Sequence, residues 1–449
     1  MARSSTDRSQ GSALKRRLLV GLAATSLLVF VLGSFVFVCA FLYPAAALVA
    51  SAAISGPAAG VVSILPAIPV ASAPNAPGRV SADTPATQQR RTNFLLLGID
   101  QRDDEKGVPT RSDTIMVVSL DQTNKTAAMI SFARDLWVPI PGYADNRINV
   151  PNFLGDAYKY PGGGPALAEK TIEQDFGLDI DYYARVDFRG FEKIVDTLGG
   201  IDVDVERAIL DEEYPTEDYE TMRIYIPAGR QHMNGKVALE YARSRHSEND
   251  FGRARRQQKV LLAIRDRAVA LDVIPKLPAL VGTLWNMVQT DVPPAEFIRL
   301  ASVAKEIDAR NVSTLVIDDK LSQPYVGEGG ADLLLPDVPA IRKAIGGLLA
   351  DPAVKSEGAK IEVINGTGKA GLATRTGEFL STHGFDVVKV STGDRADYAK
   401  TMIVVTGGAQ RTAGLLASTL GVAPGSIAPG ATSSGPEIRV ILGSDFALP

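Results

Sequence analysis

The sequence predicts an α/β protein with a mixed central sheet flanked by helices, preceded by an N-terminal transmembrane helix and followed by a small C-terminal α/β domain. Three observations support this prediction. Residues 18–42 form an uninterrupted apolar run, residues 93–135 alternate buried strands with polar turns, and residues 361–442 follow a strand, helix, strand order. The 449 residues allow two or three domains.

The N-terminal region predicts attachment to a membrane. Residues 1–17 are polar and rich in arginine and lysine, which indicates a cytoplasmic tail. Residues 18–42 are long enough to cross a hydrocarbon core of ~30 Å, which favours a single-pass anchor over a cleaved signal peptide. Residues 43–91 are rich in alanine and proline and are interpreted as a stalk and linker, with a second crossing at 45–65 as the alternative. A single crossing places the rest of the chain outside the cell membrane.

The first globular domain is predicted at residues 92–350 and begins with the buried strands NFLLLGID, TIMVVSL and AAMISFA. If the second and third strands form a hairpin and the first runs parallel to the third, their polar ends meet at one edge of the sheet. The residues expected at that edge are Asp100, Arg111, Asp113, Arg134 and Asp135. This composition is typical of a magnesium and phosphate site, and ordinary loop salt bridges are the alternative.

A second cluster of charge is the stretch YARSRHSENDFGRARRQQ. Arg243 and Arg245 would point the same way in an extended segment, whereas Arg253 and Arg256 share one face of a helix. Asp250 is the predicted N-cap of that helix. Cations in a first helical turn oppose the helix dipole, so the arrangement favours a bound anion such as phosphate or pyrophosphate. The alternative is a solvated charged surface, paired with acidic residues of the same stretch.

The remainder of the chain completes the α/β architecture. Helices are predicted at residues 166–176, 190–198, 253–271 and 337–349. Residues 351–360 are interpreted as a polar linker, and residues 361–445 as the small C-terminal domain. Its Asn-Gly-Thr-Gly turn lacks the lysine and spacing of a phosphate loop, so a structural role is favoured for that turn.

The overall composition excludes several classes of protein. A net charge of −4 argues against a nucleic-acid binder, so we expect no nucleic acid among the partners. Cys39 is the only cysteine, which excludes an intrachain disulfide and a cysteine-rich zinc site. His246 and Ser247 are adjacent, but the sequence lacks the Gly-x-Ser-x-Gly motif that would indicate a serine hydrolase.

Several short motifs together resemble the LytR-CpsA-Psr family. They span about Asn93 to Leu271 and comprise Asp100, Arg111 to Thr114, Ser131 to Asp135, Arg147 to Asn149, Leu198 to Gly200, Tyr241 to Arg243 with Arg245, and Arg253 to Gln257. Members are membrane-anchored enzymes of cell-envelope assembly. The resemblance implies transfer of a polyprenyl-pyrophosphate-linked glycan to peptidoglycan through a phosphodiester bond, with Mg²⁺, or alternatively Mn²⁺, as cofactor. The C-terminal domain resembles the accessory domain that often follows in this family.

The resemblance also implies roles for individual residues. Asp100 and Asp113 would bind the metal ion. Asp135, Arg134 and Arg243 are the candidate catalytic residues, with Asp135 as an orienting group or a base. The residues that would contact the pyrophosphate are Arg111, Arg134, Arg243, Arg245, Arg253, Arg256 and Gln257.

The sequence departs from the family pattern at two single residues and one three-residue run, and two other functions remain open. Ala133, Arg147 and the run from Val150 to Asn152 replace the residues usual there, and the last change lies on the acceptor side. A hydrolase that only cleaves polyprenyl pyrophosphate would use the same site. A non-enzymatic envelope regulator that binds lipid-linked carriers is the third possibility.

Overall fold

A computed structural model describes residues 91–101, 107–216, 220–245, 250–271, 288–430 and 435–448 of the chain. The predicted tail, transmembrane helix and stalk lie outside these ranges, apart from Arg91. Within the described ranges, no helix has both the length and the apolar character needed to cross a membrane.

The first domain contains the strands β1 (Thr92–Ile99), β2 (Ser112–Asp121), β3 (Thr126–Phe132), β4 (Trp137–Val138), β5 (Asn146–Arg147), β6 (Tyr182–Asp187), β7 (Ile201–Val205), β8 (Ile209–Pro215), β9 (Thr221–Ile226), β10 (Gly229–Met233), β11 (Val288–Thr290), β12 (Val312–Ile317), β13 (Ser322–Val326) and β14 (Asp332–Pro336). Its helices are α1 (Val150–Ala157), α2 (Gly163–Phe176), α3 (Phe188–Thr197), α4 (Gly235–Arg243), α5 (Asp250–Ala270), α6 (Pro294–Glu306) and α7 (Val338–Leu349).

The central sheet has six strands in the order β11-β6-β1-β2-β3-β12 and is mixed, as predicted. Strands β2 and β3 form the expected antiparallel hairpin, and β1 is antiparallel to β2 and therefore parallel to β3. Strand β6 runs parallel to β1, and β12 runs parallel to β3. The carboxyl ends of β1, β3, β6 and β12 consequently meet the amino end of β2 at one edge of the sheet.

The alternating apolar residues of the sheet form the core of this domain. Leu95, Leu97 and Ile130 are fully buried in one cluster with Ile172 of α2 and Ile341 of α7. On α5, Gln258 donates hydrogen bonds to Ser131 of β3 and to the backbone of β12. The helices α2, α3, α5 and α7 therefore confirm the four helices predicted for this domain, with ends that differ by a few residues.

The second domain is a five-stranded mixed sheet with helices. It contains β15 (Ile361–Asn365), β16 (Val387–Thr392), β17 (Met402–Val405), β18 (Ile427–Pro429) and β19 (Ile438–Leu442), with α8 (Pro352–Glu357), α9 (Leu372–Thr382) and α10 (Gln410–Thr419). The strand order is β16-β15-β19-β17-β18, and β15 is parallel to both of its neighbours. The predicted strand, helix, strand order at the start of this domain is confirmed.

The segment 351–360 differs from the polar linker that the sequence predicts, because it contains α8. Val354 and Ala359 are buried in the core of the second domain. The carboxylate of Glu357 accepts hydrogen bonds from the backbone amides of Arg411 and Thr412 at 3.2 and 2.8 Å. A helix of six residues is too short to show an apolar period, so the sequence did not predict that this segment packs against the core.

Candidate active site

The two carboxylates expected to bind metal lie at the edge of the sheet where the strand ends meet. Asp100 follows β1 directly. Asp113 is the extra residue of a β-bulge in β2, since Ile99 pairs with Ser112 and the next pair skips one residue of β2. A bulge turns a side chain away from the regular alternation of the strand. The two carboxylate side chains remain 35% and 30% exposed, and they are therefore accessible to a ligand.

Three of the predicted arginines converge on these carboxylates. Arg243 donates to Asp100 with Nη2 and Oδ2 2.9 Å apart. Arg134 Nη1 lies 3.3 Å from one oxygen of Asp113, and Arg245 Nη2 lies 3.6 Å from the other. The tertiary fold thus brings together residues that the sequence assigned to two separate clusters.

Asp135 lies between two arginines. Its Oδ2 is 3.2 Å from Arg134 Nε, and its Oδ1 is 2.9 Å from Arg147 Nε. Arg147 also donates to the backbone carbonyl of Asp332 at 3.2 Å. A carboxylate engaged on both oxygens fits an orienting group better than a base, although the role of Asp135 stays a prediction.

The sequence singled out Arg147 only as a departure from the family pattern. Its place beside Asp135 depends on the pairing of Trp137 with Arg147 between β4 and β5.

Arg243 is helical rather than extended, which corrects the conformation predicted for this stretch. Helix α4 ends at Arg243 because Ser244 leaves the helical region, with φ −52° and ψ 140°. The guanidinium carbon of Arg243 lies 4.4 Å from the ring centroid of Phe188 and 5.6 Å from that of Tyr214. These aromatic rings were not identified from the sequence. They orient the cation from residues distant in the chain, and the helix dipole favours a cation at this end of α4.

Helix α5 begins at Asp250, and Arg253 in its first turn is only 5% exposed. The carboxylate atom Asp250 Oδ1 lies 3.4 Å from Arg253 Nη2. Burial lowers the pKa of Arg253 to about 10, and Asp250 partly opposes this shift. The positive charges of Arg245 and Arg134 lower the pKa further. Arg253 is still a cation at neutral pH, in a place where burial and like charges disfavour it.

Burial also lowers the pKa of Arg245, and the neighbouring Arg134 adds to this effect. In contrast, burial alone would lower the pKa of Arg134, but the carboxylates of Asp135, Asp250 and Asp113 raise it above its usual value. The charge of Arg134 is thus compensated within the protein, whereas those of Arg245 and Arg253 are compensated only in part. A bound anion would stabilise both of the latter cations.

Arg256 and Gln257 contact the backbone in this structure. Arg256 is buried and donates to the carbonyl oxygens of Tyr241 and Ser244 at 2.5 and 2.6 Å. Gln257 donates to the carbonyl of Ala242 at 3.3 Å. Their predicted contact with pyrophosphate remains a prediction, while the observed bonds fasten α4 to α5.

The neighbouring Arg255 lies on the other side of α5, as its helical spacing predicts. Its side chain is 57% exposed, and its Nη2 lies 3.7 Å from Asp318. Arg111 is also exposed and makes no ion pair with any residue that the structure describes. Its predicted contact with pyrophosphate stays a prediction.

The residues at this edge fit a magnesium ion. Asp100 and Asp113 supply hard oxygen ligands, and both are accessible from solvent. Magnesium is commonly held by one or two carboxylates together with water and substrate phosphates, which matches this donor set. No group of three or more acidic, histidine or cysteine side chains suited to a metal occurs in the described part of the chain.

Comparison with known families agrees with the motifs. Residues 70–337, more than half of the chain, match the model of the LytR_cpsA_psr family. The chain belongs to the LytR-CpsA-Psr family. Residues 358–446 match a second family model, LytR cell envelope-related transcriptional attenuator, which covers the second domain.

Relatives of this LytR-CpsA-Psr protein match it over part of their length. It is 36% identical to Regulatory protein MsrR of Staphylococcus aureus over 212 residues, which cover 46% of this chain and 59% of the relative. It is 32% identical to the polyisoprenyl-teichoic acid--peptidoglycan teichoic acid transferase TagV of Bacillus subtilis over 253 residues, 56% of this chain and 62% of the relative. The crystal structure of B. subtilis TagV is 29% identical, covers 57% of this chain and 96% of that chain, and has a TM-score of 0.47. The chain thus spans about three fifths of the length of the curated relatives it matches.

Proposed function

We propose that this protein is a membrane-anchored phosphotransferase that moves a polyprenyl-pyrophosphate-linked glycan onto peptidoglycan through a phosphodiester bond. The observation that carries this proposal is the site at the edge of the sheet. Arg245 pairs with the accessible Asp113, Arg243 pairs with the accessible Asp100, and the buried Arg253 lies close enough to Arg245 and Asp113 for their charges to shift its pKa. The name of the relative TagV describes a transferase with a polyisoprenyl-linked donor and a peptidoglycan acceptor, and this supports the same reaction class.

The arginines are suited to bind the donor pyrophosphate. Guanidinium groups bind phosphate oxygens bidentately, and such charge-assisted bonds are stronger where water is excluded. Arg253 supplies a buried cation, Arg245 a partly exposed one and Arg111 an exposed one. Stacking on Phe188 holds Arg243 in one orientation. The chain therefore presents positive charge that is already in place when the donor arrives.

The chemistry is an in-line displacement at phosphorus. The acceptor hydroxyl attacks the phosphorus that carries the glycan, the bridging P–O bond of the pyrophosphate breaks, and polyprenyl phosphate leaves. Asp100 and Asp113 would hold Mg²⁺, which when bound supplies charge neutralisation at the phosphate oxygens. Asp135 holds Arg134 and Arg147 in position to face the transferring group. The hydroxyl proton passes to a carboxylate or to water at the same edge.

The proposed location follows from the apolar run at residues 18–42. A single crossing with the basic tail inside would place the catalytic domain outside the membrane, next to lipid-linked donors and to peptidoglycan. Protease added to intact cells should then cut the linker between Ala73 and Arg91. Cleavage only after lysis would support the second crossing instead.

One reconstitution tests the proposed reaction. The purified full-length protein is incubated in detergent with a polyprenyl-pyrophosphate glycan, peptidoglycan and Mg²⁺, and the products are analysed by mass spectrometry. We expect a glycan joined to peptidoglycan through phosphate, with donor consumption that depends on the acceptor. Equal donor cleavage without peptidoglycan would indicate the hydrolase. Full function in cells after loss of both Asp100 and Asp113 would favour the non-enzymatic regulator.

A further inference from the structure

A buried carboxylate lies behind the arginine cluster. Asp211 belongs to β8 and is 1% exposed, and the sequence predicted no role for it. Its Oδ2 accepts hydrogen bonds from the hydroxyl of Ser244 at 2.8 Å and from the backbone amide of Arg245 at 3.3 Å. Its Oδ1 accepts from the amide of Glu213 at 3.1 Å. A buried carboxylate is costly to a fold unless its oxygens are satisfied in this way.

The turn that carries Arg245 is held from two sides by opposite charges. Asp211 of β8 takes the side-chain hydroxyl of Ser244 and the amide of Arg245. Arg256 of α5 donates to the carbonyl oxygen of the same Ser244 and to that of Tyr241. The hydroxyl and the carbonyl oxygen of Ser244 are therefore both hydrogen-bonded, and these bonds fix the backbone that leads into Arg245.

The position of Asp211 in its hairpin is one that ordinary strand patterning fills with an apolar residue. Asp211 pairs with the buried Ile224 across β9, and Ile209 two residues earlier is buried as well. The register shifts directly after Asp211, and this irregularity turns the amide of Glu213 onto its carboxylate. A hairpin needs neither a buried charge nor a bulge here for its own packing. Such a local departure from patterning is typical of residues that serve a functional site.

We propose that Asp211 is a positioning residue for the pyrophosphate site, which it serves by fixing the backbone from which Arg245 reaches Asp113. This inference rests on the proposed function. Arg245 is a long side chain, and an ordered backbone reduces the conformational entropy that it loses when it binds an anion. The carboxylate of Asp211 accepts hydrogen bonds from Ser244 and Arg245 in the turn and from Glu213 of its own strand, so the role proposed for it is positioning and not catalysis. We propose that its effect on anion binding passes through Arg245.

The test measures binding of inorganic pyrophosphate to the full-length protein in detergent by calorimetry, with thermal unfolding as a check of the folded state. Asp211→Asn replaces one acceptor oxygen with a donor and should weaken binding about 5- to 20-fold. Ser244→Ala removes a single hydrogen bond and should weaken it about threefold. If Asp211→Asn does not fold, Ser244→Ala provides the test of the proposal.

A double-mutant cycle separates positioning from general destabilisation. Arg245→Ala removes the group that Asp211 is proposed to hold, so Asp211→Asn or Ser244→Ala should have no further effect on pyrophosphate affinity in that background. The same loss of affinity in both backgrounds would overturn the inference, because Asp211 would then act on the fold and not through Arg245. Unchanged affinity in the folded single variants would also overturn it. If the wild-type protein itself fails to bind pyrophosphate, the proposed function fails as well, which is a separate result.

Discussion

Arg243 at the end of α4 donates to Asp100 at the end of β1, and the two atoms lie 2.9 Å apart across a sequence separation of 143 residues. This pair joins a carboxylate expected to bind metal to an arginine expected to bind pyrophosphate. If the proposed function is correct, Asp100 serves two purposes. It orients Arg243 when no ligand is present, and it offers an oxygen ligand when a cation enters with the donor.

Neutralising Asp100 should separate metal binding from anion binding. In Asp100→Asn, the Mg²⁺ dependence of turnover should weaken, while pyrophosphate still binds without metal because the arginines remain. Titration of turnover with Mg²⁺ and calorimetry with pyrophosphate measure the two effects. Asp318→Asn is a matched control, since Asp318 follows β12 at the same edge and pairs with the exposed Arg255. An unchanged response to Mg²⁺ in Asp100→Asn would show that this carboxylate is not a ligand.

Replacing Arg253 with lysine should impair donor binding more than the same change at Arg255. Lysine keeps the charge but loses the planar fork, so Arg253→Lys should weaken pyrophosphate binding about tenfold or more. Arg255 is exposed on the other side of the same helix, and Arg255→Lys should change affinity by less than about twofold. Calorimetry on both folded variants makes the comparison. Equal and small effects of both substitutions on pyrophosphate affinity would show that this stretch is an ordinary charged surface.

Arg256 should contribute mainly to stability. Its two bonds to the carbonyls of Tyr241 and Ser244 require the guanidinium geometry, which lysine lacks. Arg256→Lys should lower the free energy of unfolding by roughly 2 to 3 kcal/mol, as for the loss of buried charge-assisted hydrogen bonds. Chemical denaturation measures this change. Intact stability combined with weak pyrophosphate binding would instead support the direct contact between Arg256 and pyrophosphate that the sequence predicts.

Asp175 should make stability depend on pH. Burial raises its pKa from 3.8 to about 7, against the opposing charge of Arg342 and with a contribution from Asp145. Its Oδ2 has no hydrogen-bond partner among the residues that the structure describes. The folded state therefore binds more protons than the unfolded state between these two pKa values, so stability falls as pH rises through this window.

Asp175→Asn should remove that part of the pH dependence. The substitution should stabilise the protein above pH 7 by on the order of 1 to 3 kcal/mol and change little below pH 4. Chemical denaturation of both proteins across this range gives the difference curve. A constant difference between wild type and variant at all pH values would contradict the raised pKa.

Two adjacent glycines of α7 should respond in opposite ways to alanine. A Cβ on Gly346 would lie 1.9 Å from the carbonyl oxygen of Ser381 in α9, whereas one on Gly347 would meet no heavy atom of the described residues within 4 Å. Gly346→Ala should destabilise the contact between α7 and α9 by roughly 1 to 3 kcal/mol. Gly347→Ala should stabilise α7 by up to about 1 kcal/mol. Thermal unfolding measures both, and destabilisation by both changes would argue against a specific close contact at Gly346.

The sequence by itself determined the elements whose patterns are local. The strands β1 to β3 and the helices α2, α3, α5 and α7 follow from apolar periods of two and 3.6 residues, which arise from backbone geometry. The gathering of Asp100, Asp113 and Arg134 at one edge also followed from the sequence, because a hairpin and a parallel strand permit few arrangements. The separation of Arg253 from Arg255 follows from helical spacing alone.

Only the tertiary structure decided which partner each charged group meets. Arg147 reaches Asp135 through the pairing of β4 with β5, and Asp211 reaches Ser244 from a hairpin that no local period indicated. The bonds of Arg256 to two carbonyls depend on how α4 ends and how α5 packs beside it. These contacts join residues that are distant in sequence, and the direction of a long side chain depends on the surfaces around it. A local pattern carries no information about those surfaces, so the sequence located the arginines but did not distinguish the ones that pair with carboxylates at the edge of the sheet from the ones that hold the backbone.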